Sequence, residues 1–120
     1  MLLKDYEDRL DFLNRHINKI NKAVSDFLGF DVNLDVRTYQ DSCGNNFIVL
    51  RDDTNIRDKC GVMSNCFERV YLSDFDMYFD DDSVSILIDC NWRLIGGGEN
   101  GATICRISVV GDEVRVRSVD

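Results

Sequence analysis

Six aspartates, Asp74, Asp76, Asp80, Asp81, Asp82 and Asp89, stand between positions 74 and 89 without a lysine or arginine among them. Carboxylates at this density repel one another, and either a hard cation or a basic partner relieves that repulsion. An EF-hand loop starting at Asp74 would place Tyr78 where an oxygen ligand belongs. It would also put Phe79 where the turn needs glycine and Ser85 where the bidentate glutamate belongs. A frame starting at Asp80 fails in the same way, which leaves Asp80, Asp81 and Asp82 as at most weak cation ligands. Phe75, Tyr78 and Phe79 are interleaved with the acids. That mixture suits a surface on which electrostatic attraction and apolar anchoring act on one contact with a basic protein.

The other reactive side chains form no recognisable constellation. Cys43, Cys60 and Cys66 would offer three thiolates to zinc, but no C-x-x-C pair or fourth ligand accompanies them. Cys90 and Cys105 share apolar faces with Ile88 and Ile107 and read as small core hydrophobes. His16, the sole histidine, has no partner at triad or general-base spacing and reads as a boundary or surface residue. The run from Gly96 to Gly101 lacks the lysine of a P-loop and the glycine order of a dinucleotide fold, and reads as a mobile turn between strands. Trp92, just before it, is a sheet anchor or an interface hot spot. The expectation is therefore a non-enzymatic protein with no metal or cofactor.

Charge narrows the partners. The formal net charge is -8, and the segments 1–28 and 91–120 are each balanced, so most of the excess lies in the aspartate stretch. Direct binding of nucleic acid, which needs cations to displace phosphate counterions, is disfavoured, as is an anionic membrane surface. The first residues lack the apolar core of a secretory signal, no run reaches transmembrane length, and five irregularly spaced cysteines suit a reducing compartment. These features point to the cytoplasm.

The elements that must position these residues follow from periodicity. Leu3, Tyr6, Leu10, Leu13, Ile17, Ile20, Val24 and Phe27 alternate steps of three and four, which predicts a long amphipathic helix ending at Gly29. Its stripe would dock on the chain's own sheet or, alternatively, form a homodimeric coiled coil through residues 3–27. Val32, Leu34 and Val36 predict a strand that pairs with 47–51 across a turn at 41–46. Residues 52–66 read as a long loop, followed by a short strand over 69–72. Further strands are predicted from Val84 through Cys90, over 103–110 and over 113–119, the last two joined at Gly111-Asp112. One α+β domain over residues 1–120 results, with the N-terminal helix packed on a twisted antiparallel sheet.

In size, acidity, asparagine content and lack of catalytic motifs the chain resembles small acidic phage-encoded inhibitors of bacterial defence, including anti-CRISPR proteins and DNA mimics. That resemblance implies an inhibitor acting in the host cytoplasm, which occludes the nucleic-acid site of a basic protein such as a CRISPR effector. From the residues themselves, the expected partner-binding set is Asp74, Phe75, Asp76, Tyr78, Phe79, Asp80, Asp81, Asp82 and Trp92. Two other readings are a helix-mediated oligomerisation or adaptor module, and a small-molecule-binding domain.

Overall fold

Asp5 starts the N-terminal helix α1 (Tyr6–Leu28): its backbone is extended, and its carboxylate accepts the Asp8 amide N–H at 2.9 Å. Glu7 and Asp8 add negative charge at the positive end of the helix dipole. Gly29 ends the helix at φ 84°, a left-handed conformation that only glycine adopts cheaply, and its N–H donates to the Ser25 carbonyl. The computed structural model describes Leu3 and residues 5–119, except the side chains of residues 62–64.

The buried side chains of α1 are Phe12, Leu13, His16, Ile20 and Val24. Tyr6, Leu10 and Ile17 lie at the border, and Phe27 is 41% exposed. The stripe read from the sequence thus serves as core at Leu3, Leu13, Ile20 and Val24 and leaves it at Phe27. Alternating steps of three and four average 3.5 residues per turn, while a straight helix has 3.6, so the stripe drifts by about 20° per heptad and its far end rotates out of the contact. His16 departs from the boundary or surface position expected of it. It is 3% exposed, tilted against the Phe12 ring, with Nδ1 2.7 Å from the Phe12 carbonyl. A carbonyl only accepts, so Nδ1 is the donor in this bond.

Six strands follow in chain order, β1 (Asp35–Gln40), β2 (Asn46–Asp52), β3 (Phe67–Phe79), β4 (Ser83–Leu94), β5 (Glu99–Val110) and β6 (Glu113–Ser118). Each pairs antiparallel with the next, so the spatial order equals the sequence order. Val70 and Leu72 of β3, Val84, Ile86 and Ile88 of β4, and Cys105, Ile107 and Val109 of β5 face the helix and are buried. Strand period two sends their neighbours to the opposite, solvent-facing side. Helix α1 touches β6 at one edge of the sheet and β1 and β2 at the other, so the sheet curls around it.

Several boundaries differ from the sequence reading. Val32 and Leu34 are buried, yet β1 begins only at Asp35, because α1 satisfies their backbone instead of a strand. Asn21 accepts the Leu34 N–H at 2.7 Å and donates to the Leu34 carbonyl at 3.0 Å, while Ser25 accepts the Val32 N–H at 2.8 Å. The long loop holds two short 3-10 helices at Arg57–Lys59 and Gly61–Cys66. The short strand expected over 69–72 runs from Phe67 to Phe79 and takes in the start of the acidic segment, with Asp74 and Asp76. The glycine run divides: Gly96, Gly97 and Gly98 turn the chain at φ between 90° and 110°, while Glu99 to Gly101 already belong to β5.

Candidate protein-binding surface

The register of β3 decides which acids are available to a partner. Asp74 pairs with Ile88 and Asp76 with Leu87, so Phe75 is an extra residue that bulges out of the ladder. Between an earlier irregularity at Glu68 and this bulge, even-numbered residues face the helix; after it, Met77 and Phe79 do. Asp74 is therefore on the inner side, where its carboxylate accepts the Leu50 N–H at 2.8 Å. Asp76 and Tyr78 are on the outer side, and the Tyr78 hydroxyl donates to Asp76. That bond, with the charge behind it, raises the phenol above its ordinary value. Phe75 is 67% exposed and Tyr78 59%.

At the end of β3 the Asp80 N–H donates to the Ser83 carbonyl at 2.9 Å, closing a hairpin whose two-residue loop is Asp81-Asp82. All three of these aspartates are exposed. The Asp81 carbonyl accepts the Leu3 N–H at 2.8 Å, which ties the chain before α1 to this end of the sheet. Phe79 packs inward on the core beneath the Arg9 guanidinium, 5.0 Å from its ring centre. The site expected from the sequence therefore divides. Exposed Phe75, Tyr78, Asp80, Asp81 and Asp82, with half-buried Asp76 among them, form one acidic and aromatic end, while Asp74 and Phe79 support it from the inner side.

Trp92 is separate from this end. It pairs with Val70, eight positions along β4 from Val84, or about 26 Å at strand rise. Its ring faces the inner side, half-buried against Phe67 at 5.9 Å. Of its two readings the structure favours the sheet anchor.

Burial pushes the Asp74 carboxyl up from its ordinary 3.8, with the charges of Asp76 and Asp89 adding to the effect. The folded protein then holds this proton more tightly than the unfolded chain. The group's contribution to stability is greatest below 3.8 and is lost as pH rises through the raised value. Asp74→Asn keeps an oxygen for the Leu50 N–H and is expected to raise stability at neutral pH while leaving it unchanged well below pH 3.8. Asp74→Ala deletes the acceptor and should cost about 1–3 kcal/mol. Urea unfolding of both variants at acidic and neutral pH checks the pair.

Sequence reasoning missed a cationic cluster on the same outer face. Asp53 binds Arg37 at 2.6 Å and Arg51 through its other oxygen, with Arg69 at 3.5 Å. The hydrogen bond from Arg37, followed by that from Arg51, holds the Asp53 carboxyl below its usual range. Arg51 and Arg69 also lie 4.5 and 4.9 Å from the Tyr71 ring centre. No local motif joins positions 37, 51, 53 and 69; β1, β2 and β3 bring them together by pairing.

Two of the cysteines, Cys90 and Cys105, offer little nucleophilicity. Burial drives the Cys90 and Cys105 thiols up to about 11, so both are protonated at neutral pH. Cys43 and Cys66 are exposed, and Cys60 is half-buried beneath the Ile56 carbonyl. Among the described residues no three His, Cys, Asp or Glu side chains are placed to hold a metal ion, and no helix is long and apolar enough to cross a membrane. Comparison of the chain with protein-family models, with curated proteins and with solved structures returns no match.

Proposed function

We propose that this protein is a non-enzymatic inhibitor that captures a basic, nucleic-acid-binding protein and occupies its nucleic-acid site. One observation carries the reading. Phe75 and Tyr78, both more than half exposed, stand on the outer side of β3 beside Asp76 and next to the exposed Asp80, Asp81 and Asp82. Large apolar side chains held at the surface by a β-bulge are expected where a partner covers them, and flanking carboxylates select a partner rich in lysine and arginine. A phosphate-binding groove, for instance that of a CRISPR effector, has that character. Asp76, Asp80, Asp81 and Asp82 would stand in for phosphates, with Phe75 and Tyr78 as the desolvated anchors.

The test is capture from a bacterial lysate by tagged protein, at low and at moderately high salt, with nucleic acid as competitor. Three exposed charge pairs at about 0.2–1 kcal/mol each predict a loss of capture of about threefold to a hundredfold for the Asp80→Asn, Asp81→Asn, Asp82→Asn triple variant. Phe75→Ala with Tyr78→Ala should lose as much at both salt concentrations. A nucleic-acid-binding protein that is captured by the wild type, displaced by nucleic acid and lost with the triple variant meets the expectation. Capture indifferent to salt, competitor and these residues would overturn it.

A further inference from the structure

Among the described residues β2 and β3 pair only at Arg51 with Ser73 and at Asp52 with Leu72. From Leu50 back to Asn46 and from Asp74 on to Phe79 the two strands part, although each stays paired on its far side, β2 with β1 and β3, apart from the bulge at Phe75, with β4. A cleft of about 220 Å³ lies in the split. Phe47 and Ile48 form one wall, Met77 and Phe79 the other, and Tyr6 and Arg9 of α1 the floor.

The backbone groups facing this split can be identified. The Asp80 N–H is bonded to Ser83, so by alternation the amides and carbonyls of Met77 and Phe79 point away from β4 and towards β2. The Asp41 N–H is bonded to Asn45, and the same alternation turns the backbones of Asn46, Ile48 and Leu50 towards β3. Two of these amides already have substitutes for a strand. The Leu50 N–H donates to the Asp74 carboxylate at 2.8 Å, and the Met77 N–H to the Asp76 carboxylate at 2.8 Å. Carboxylates thus occupy acceptor positions that the carbonyls of a neighbouring strand would fill.

Resting on the binding reading above, we infer that the split between β2 and β3 accepts an extended segment of the partner as an added strand, basic on one side and apolar on the other. Strand period two sends alternate side chains of such a segment to opposite faces of the sheet. Those turned inward meet Met77, Phe79, Ile48 and Tyr6; those turned outward meet Asp76 and the rings of Phe75 and Tyr78. Charge sets the partner's sign. Asp74 stands at the closed end, Asp76 along the β3 edge, and Asp80, Asp81 and Asp82 beyond the open end. Arg9 brings one positive charge to the floor against these five carboxylates, and its guanidinium is held over Phe79 with Nε donating to the Leu3 carbonyl at 3.0 Å. Asp74, crowded by Asp76 and Asp89, gains a counter-charge when a lysine or arginine enters.

The probe is an octapeptide of alternating lysine and valine, with a version N-methylated at alternate residues and a version carrying glutamate for lysine. Titration with the intact protein is expected to show binding of the first, and at least tenfold weaker binding of each of the other two. Amide hydrogen exchange should show added protection over 46–50 and 75–79. Binding that survives N-methylation without that protection would overturn strand addition yet leave the acidic surface reading intact. Absence of lysine–valine binding, with no protection of these segments by a captured partner, would also overturn it. The Asp80→Asn, Asp81→Asn, Asp82→Asn capture result decides the surface reading separately.

Discussion

Leu13→Asp is expected to leave no folded protein. Leu13 is fully buried at the middle of α1, against a sheet that curls around the helix. With Leu13 at 0% exposure a carboxylate there has no water to reach, and a charge buried in such a place costs several kcal/mol or more against a total stability of about 5–15 kcal/mol. Leu13→Ala removes contacts without adding charge and should cost about 2–5 kcal/mol. Ile17→Asp, at the half-buried border of the same face, should be milder because its carboxylate can reach water. Circular dichroism with size-exclusion chromatography separates the outcomes. A folded monomer from Leu13→Asp with wild-type stability would mean that the stripe serves contact between chains rather than this core.

The second large effect is expected at Asp52, at the end of β2. Its side chain is buried and its two oxygens accept from different places, one from the Asn33 N–H at 2.9 Å and the other from the Thr54 N–H at 3.0 Å. It thereby joins the segment leaving α1 to the loop leaving β2. Hydrogen bonds to a charged acceptor contribute about 1.5–3 kcal/mol each, and Asp52→Ala removes two, so a loss of about 3–6 kcal/mol is expected. Asp52→Asn is not a conservative change here. Its amide offers one oxygen, so an NH₂ would face one of the two N–H donors, at a cost of about 1–3 kcal/mol. Urea denaturation of the two variants reads both values, and midpoints equal to wild type would refute the assignment.

Much of the fold was legible because periodicity is a local property. The helix from Tyr6 to Leu28, its stop at Gly29 and the hairpin at Gly111-Asp112 each depend on residues within one or two turns of chain. The inward set Val84, Ile86 and Ile88 was equally plain from alternation. Two long-range substitutions were not legible. Asn21 takes the place of a strand for Leu34, and the bulge at Phe75 reverses the face of every residue after it. A bulge adds one residue to one strand only, so it exists only relative to a partner strand and leaves no period of its own.

The candidate site shows the same division. The excess of aspartate between 74 and 89, and the aromatics among them, are composition, and composition alone determines that this region is negatively charged at neutral pH. The helical stripe and the alternating runs likewise determine an α+β chain with one helix on an antiparallel sheet, because 3.6- and 2-residue periods admit few other arrangements. Which carboxylates face solvent was decided by the tertiary structure. Asp74 caps the Leu50 amide from the inner side, Asp76 turns outward to Tyr78, and Trp92 lies on the other face near the far end of β4. The gathering of Arg37, Arg51 and Arg69 around Asp53, and the parting of β2 from β3, were decided there too. The physical reason is that a side chain's face is set by strand register, and register is a property of pairs of strands whose contacts join residues far apart in the chain.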